Sequence, residues 1–179
     1  MASGLGGQTH RPLPARAAEA SQARLARLDA STGGEYSQVV AGDLRKTMQQ
    51  HAGVFRTQAS LDEGVGKVQA LAERVWSIHL ADKSKIFNTA RVEALEVDNL
   101  IECALATMIS AAARHECRGA HNVAEYERPM DDLEAPNGRN DTVWMKHTLY
   151  FSEGHRLEYK PVNVKPLTVE SIPPKVRTF

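Results

Sequence analysis

Three side chains able to ligate a metal, His115, Cys117 and His121, fall within one short stretch, with Arg118 among them. Imidazole nitrogen and thiolate sulfur are ligands that zinc prefers. The stretch lacks the C-x-x-C pairs or the H-E-x-x-H spacing that would bring such ligands to one face, so a plainer reading outweighs a metal. His115 and Arg114 stand where a long helical pattern ends, and cations there meet the negative end of the helix dipole. Arg118 offers five donors in a fixed fork, suited to a carboxylate or to a row of backbone carbonyls. Arg118 and His121 are therefore the functional candidates, with two readings open. They meet a partner domain, or Arg118 ties the helix end to the chain's own hairpin. His51, His79, His147 and His155 are scattered without a Ser, Cys or Asp placed to make a triad, and each reads as a surface or internally satisfied residue. No G-x-G-x-x-G lies between a strand and a helix, and Gly4, Gly6 and Gly7 follow no apolar strand. This segment is therefore expected to bind no dinucleotide cofactor.

The longest helical pattern in the chain positions these candidates. Asn88 suits an N-cap, and from Thr89 to about Arg114 there is no Gly or Pro. Apolar or small residues recur at helical spacing: Ala94, Val97, Ile101, Ala104, Leu105, Met108, Ala111 and Ala112. Glu93, Glu96, Asp98 and Glu102 form a polar face that reads as solvated. Beyond Glu102 the pattern is apolar nearly all round, which predicts deeper burial toward the C-terminal half. Gly119 then ends the run and is free to turn left-handed.

Three earlier helices are expected, over about Ala15–Leu28, Ser37–Gln50 and from Ser60 to about Ile78. Ser60 and Glu63 have capping-box spacing, and Gly64 and Gly66 read as points where a neighbouring helix comes close. From Glu127 to Asp141 the Pro- and acid-rich chain reads as surface loop. Val143–Phe151 and Arg156–Val164 then have strand character, with Ser152 to His155 as the turn between them. The expected fold is mainly α: a leader (1–14), a three- to four-helix bundle (15–121), a surface loop (122–142), then a β-hairpin and extended tail (143–179).

Lys plus Arg equals Asp plus Glu at 22 each, so no net field favours nucleic acid. No apolar run of about 18 residues exists, so direct membrane insertion is not expected. Met1 to Gly7 lacks the charged and apolar regions of a signal peptide. Cys103 and Cys117 would lie roughly 20 Å apart by helical rise, too far to bridge, which fits a reducing cytoplasm.

The stretch Asn88 to His121 resembles the C-terminal helical domain of the succinate dehydrogenase and fumarate reductase flavoprotein subunits. That family shows a Glu- and Leu-rich helix followed by E-S-R-G-A-H, here Glu116-Cys117-Arg118-Gly119-Ala120-His121 with Cys in place of Ser. Trp144 to Leu149, Leu157 to Val162 and the ending Pro173 to Phe179 resemble the family in the same order. The segment from Glu127 to Asp141 departs from it, with a longer insert in which Arg139, Asp141 and Trp144 keep counterparts.

The resemblance implies that the intact protein is a flavin-dependent oxidoreductase that interconverts succinate and fumarate. FAD would sit in a preceding region, and electrons would leave through an iron–sulfur subunit toward membrane quinone. It implies that Arg118 and His121 lie where the helical domain meets the flavin domain. This segment would be inactive alone and would pack against the flavin domain, with the iron–sulfur subunit as a second partner. Its location would be cytoplasmic, held peripherally at the inner membrane by those partners. Fumarate reductase and aspartate oxidase are rivals, but aspartate oxidases resemble the hairpin and the final segment less. A free-standing helical interaction module is the alternative of a different class.

Overall fold

A computed structural model describes residues 11–172 and 174–175. The first ten residues of the expected leader, and most of the ending from Pro173 on, lie outside the described residues. Four helices precede a hairpin: α1 (Glu19–Ala30), α2 (Ser37–His51), α3 (Gln58–Val75) and α4 (Thr89–Ala112). A short α5 (Asp141–Trp144) leads into β1 (Lys146–Phe151), which pairs antiparallel with β2 (Arg156–Pro161) in the register Lys146↔Pro161 to Phe151↔Arg156. The expected mainly α bundle with a C-terminal hairpin is the architecture found.

α4 is the axis. The Asn88 side chain accepts from Arg91 N at 2.9 Å and so caps the first turn. Ala94, Val97, Ile101, Ala104, Leu105, Met108 and Ala111 are buried along one stripe. They pack in one core with Val40, Ala41 and Leu44 of α2 and with Leu61, Val68, Leu71 and Val75 of α3. A side chain at Gly64 would put its Cβ 2.6 Å from the Cβ of His51 and 2.8 Å from the Sδ of Met108. Glycine is what lets these helices close there. Gly66 faces open space, so the close-approach expectation holds for Gly64 and fails for Gly66.

Other expectations also need correction. α3 begins at Gln58, where Thr57 accepts from Ser60 N at 3.1 Å, and no Ser60–Glu63 capping box forms. Glu63 pairs instead with Lys67 one turn on. α1 starts at Glu19, because Pro14 to Glu19 first forms two overlapping turns, closed by Ala17 N to Pro14 O and Glu19 N to Arg16 O. The C-terminal half of α4 is not buried all round: Cys103 and Thr107 face solvent, and the Thr107 hydroxyl donates to Cys103 O at 2.7 Å. Asp98 is not part of a solvated face either. Its carboxylate accepts from Arg24 and Arg27, each at 3.0 Å, and so fastens α1 across α4.

Truncating Met108, which has no exposed surface, is expected to cost about 2–5 kcal/mol. Exposed Glu96→Ala should stay within about 0.5 kcal/mol. Denaturant unfolding of the two variants checks this, and equal small losses would overturn the placement of the core.

Candidate functional site

Beyond Ala112 the chain leaves the helix and runs as Arg114-His115-Glu116-Cys117-Arg118. This stretch is irregular, with a bend at Glu116. The side chains of Arg114, Glu116 and Arg118 converge there, and the Glu116 carboxylate between them is 0% exposed. Arg114 Nη2 stands 2.6 Å from Glu116 Oε1, and Arg118 Nε donates to the same oxygen at 2.8 Å. Arg118 Nη2 donates to Glu116 Oε2 at 3.0 Å and to Asp141 Oδ1 at 2.6 Å. The backbone N–H of Asn140 also donates to Glu116 Oε2, at 3.0 Å. Arg114 reaches onward to the carbonyls of Trp144 (2.7 Å) and Lys146 (3.2 Å) at the start of the hairpin. A carboxylate so deep needs these donors, since an unpaired buried charge is very costly. The fork of Arg118 therefore faces the chain's own carboxylates.

Gly119, at φ 60°, turns the backbone so that Arg118 and His121 exchange two hydrogen bonds, N to O at 2.8 and 3.0 Å. His121 is thereby folded back under the end of α4. Its Nε2 stands 2.9 Å from the carbonyl of Arg114, so Nε2 carries the proton and donates. Nδ1 is then the acceptor for Arg56 Nη1 at 3.1 Å, which assigns the neutral Nε2-H tautomer from the network. Burial pushes the pKa of His121 below the ordinary histidine value; the hydrogen bond to the Arg114 carbonyl opposes this, and the guanidinium charges of Arg56 and Arg114 add to it. A proton on Nδ1 would confront the guanidinium of Arg56.

Cys117 is buried, and its thiol donates to Asn122 Oδ1 at 2.9 Å. Burial raises its pKa, which keeps it a thiol. Its backbone N–H donates to Gly138 O at 2.8 Å. A Cβ on Gly138 (φ 75°) would fall 2.4 Å from Tyr126 O, so glycine lets the insert close on the motif. His115 lies on the other side, exposed, stacked on Tyr126 with ring centres 5.4 Å apart. His115, Cys117 and His121 therefore serve three different neighbourhoods. Among the described residues no group of His, Cys, Asp and Glu side chains gathers as a metal site.

Arg118 lines two depressions. One, of about 460 Å³, lies toward the hairpin with Arg114, Trp144, Lys146 and Val162. The other, of about 630 Å³, lies toward the loop after α2 with Val54, Phe55, Ala120, Arg128 and Arg139. Phe55 is 92% exposed and Val54 74%. Arg56, which follows them, is held by the carbonyls of Gly53 (2.8 Å) and Ala52 (3.0 Å). Sequence reasoning missed Glu116 as the hub, and it missed Arg56 and Phe55. The alternation of Arg114, Glu116 and Arg118 was the available signal for the first. Nothing local in the sequence paired Arg56 with His121.

Residues 41–179 match the family described as the fumarate reductase flavoprotein C-term. This chain belongs to that family. It is similar to the succinate dehydrogenase flavoprotein subunit of Coxiella burnetii, at 40% identity over 159 residues, 89% of this chain and 25% of that protein. It is also similar to the mitochondrial succinate dehydrogenase flavoprotein subunit of Oryza sativa, at 35% identity over 177 residues, 97% of this chain and 26% of that one. A solved chain of E. coli quinol fumarate reductase superposes with a TM-score of 0.71 at 30% identity, over 90% of this chain and 27% of that chain. The chain thus spans about a quarter of the length of these relatives.

Members of this flavoprotein family are named for a flavin, and the described residues of this one do not fit it. Their only sheet is the β1–β2 hairpin, so no parallel strand runs into a glycine-rich turn and a helix N-terminus to receive a pyrophosphate. No described helix is long and apolar enough to cross a membrane.

Two outcomes are expected for this domain of the flavoprotein. Glu116→Ala strips the shared partner from two part-buried guanidinium groups and should cost roughly 3–5 kcal/mol in denaturant unfolding. His121 should make stability fall with acid. A group whose folded pKa is lowered binds its proton more readily when unfolded, so its contribution is complete above about pH 6.5 and is lost as pH falls below that. Unfolding of the parent and of His121→Gln across pH 5–8 tests this, and an unchanged acid slope in the variant would overturn it.

Proposed function

We propose that the intact protein is a succinate dehydrogenase flavoprotein subunit, and that this chain is its C-terminal packing domain. The reading rests on the 40% identity, over 89% of this chain, to a relative of that name. The parent would oxidise succinate to fumarate, with FAD held outside this segment as electron acceptor. Electrons would leave through an iron–sulfur subunit toward quinone. The protein would be cytoplasmic and held peripherally at the inner membrane through its partners. Turnover in the fumarate-reducing direction is the second reading. It is favoured by the 32% identity to the Haemophilus influenzae fumarate reductase flavoprotein subunit and by the resemblance to quinol fumarate reductase structures.

Arg118 and His121 mark the end of the domain that meets the flavin region. The features that support this are the exposed Val54–Phe55 pair beside the Gly119–Ala120 turn and the depressions on either side of Arg118. Apolar side chains next to an arginine fork are the composition of an interface centre. Glu116 and Asp141 would then act as the backing that aims the fork.

The purified chain should fold, bind no stoichiometric FAD and reduce no dye with succinate. Flavin absorbance after reconstitution would overturn that. Titration against the separately expressed flavin region tests the surface. Phe55→Ser should weaken association by about 1.5–3 kcal/mol while leaving the unfolding midpoint in place. Arg118→Lys should weaken it by roughly 2–5 kcal/mol, because an ammonium cannot span two carboxylates and a partner. If Arg118→Lys destabilises the isolated chain and leaves association intact, Arg118 is an intrachain tie alone.

A further inference from the structure

Asn137 and Gly138 follow one another in the insert, and both take left-handed backbone, at φ 55° and 75°. Asparagine is among the few residues that adopt this conformation readily. Placed just before glycine, it also sets up an internal reaction. The backbone nitrogen after an asparagine can attack the side-chain carbonyl carbon and close a five-membered ring, and glycine leaves that nitrogen least hindered. Asn137 is exposed, so water and hydroxide reach its amide.

The fold withholds the attacking nitrogen. Attack needs that nitrogen without its proton, and Gly138 N donates the proton to Ala135 O at 2.8 Å. Ala135 is itself fixed by Asp132, whose Oδ1 accepts from Glu134 N at 2.9 Å and Ala135 N at 2.8 Å. Asn137 N donates to Pro129 O at 3.0 Å, and Gly138 O accepts from Cys117 N at 2.8 Å. Gly138 is buried, and a Cβ there would fall 2.4 Å from Tyr126 O and 2.9 Å from the Cβ of Cys117. Closure of the insert on the motif therefore protects this peptide and leaves no slack around it.

We propose that Asn137–Gly138 is a site of spontaneous deamidation, gated by closure of the insert, whose isoaspartyl product unlocks the insert from the Glu116 network. When the insert opens, the freed Gly138 nitrogen loses its proton to hydroxide and bonds to Cγ of Asn137. The side-chain nitrogen leaves as ammonia, protonated by water, and a succinimide remains. Water then opens the ring. Cleavage of the bond from nitrogen to Cγ gives aspartate, and cleavage at the backbone carbonyl gives isoaspartate, in which the chain runs through the side chain. Each opening yields one carboxylate, and no oxidant or reductant is needed.

The two products differ in what they do to the fold. Aspartate keeps the backbone length and adds a negative charge to the depression lined by Arg118, Arg128 and Arg139, which suits it. Isoaspartate inserts a methylene into the backbone just ahead of Gly138, where Tyr126 and Cys117 leave no room. The bond from Cys117 N to Gly138 O is then lost, and Asn140, two residues on, is drawn away from Glu116 Oε2. A buried carboxylate that loses a donor is destabilised. A covalent change at an exposed asparagine is thus felt at the hub beneath Arg118.

Peptide mapping by mass spectrometry, on the purified chain in mildly alkaline buffer, follows the conversion of Asn137, and a protein isoaspartyl methyltransferase counts the isoaspartyl product. The chain in denaturant should react about tenfold faster than the folded chain, or more, because local opening sets the folded rate. Asp132→Ala frees Ala135, so it should raise the folded rate severalfold and leave the rate in denaturant unchanged. The isoaspartyl form, separated by chromatography, should unfold at lower denaturant and expose the Cys117 amide to hydrogen exchange. Asn137→Asp has the same charge on an unlengthened backbone and should match the parent in both. Equal rates in the folded and denatured chain, or an unchanged folded rate in Asp132→Ala, overturn the gating. An isoaspartyl form with the parent's midpoint and Cys117 protection overturns the unlocking, and an Asn137 that stays intact in denaturant overturns the site. The inference goes beyond the succinate dehydrogenase reading, and none of these results bears on that reading.

Discussion

A carboxylate with no surface in water demands cations, and Glu116 draws two onto its oxygens together with the N–H of Asn140. This one group joins parts of the chain with little other reason to meet. Arg114 lies just beyond the end of α4 and carries the hydrogen bonds to the hairpin. Arg118 belongs to the turn and carries those to Asp141. Asn140 closes the insert. A buried ion network adds little net stability over an apolar cluster of equal volume, because removing charges from water offsets most of the attraction. Its contribution is geometric. Apolar side chains would pack as well, but they would not hold a guanidinium fork and a neutral imidazole at fixed angles on one end of a bundle.

The helices were legible because their signals are local. Asn88 caps where its side-chain chemistry says it should, and the stripe from Ala94 to Ala111 faces inward as its spacing requires. The errors fall where one local signal competed with another or with a distant partner. Ser60 and Glu63 had the spacing of a capping box, but Thr57 lay one turn earlier and took the cap. Asp98 looked like one more acid on a wet face, until two arginines of α1 covered it. Spacing within one helix cannot report a residue some seventy positions away.

The candidate site was half legible for the same reason. Arg118 and His121 stood out by residue type, and Gly119 announced the turn that folds one back upon the other. The tautomer of His121 was not readable, because it depends on Arg56 from the distant loop between α2 and α3. Nor was the burial of Glu116 readable, since a glutamate between two arginines looks the same in a solvated stretch.

The two ends of α4 answer different physical demands by the same means. At one end arginines and a buried glutamate fix a turn, and at the other a buried asparagine and an arginine fix a loop. In both places polar side chains spend themselves on backbone and carboxylate oxygens, and a phenylalanine is left outside the core. Phe55 and Phe87 are not core residues that failed to fit, since the interior between α2, α3 and α4 closes tightly enough to require glycine at position 64. Isolated exposed apolar residues are ordinary on any surface. Here both rings project from segments fixed by polar groups near the two ends of α4, so their exposure is set by the backbone's hydrogen bonds.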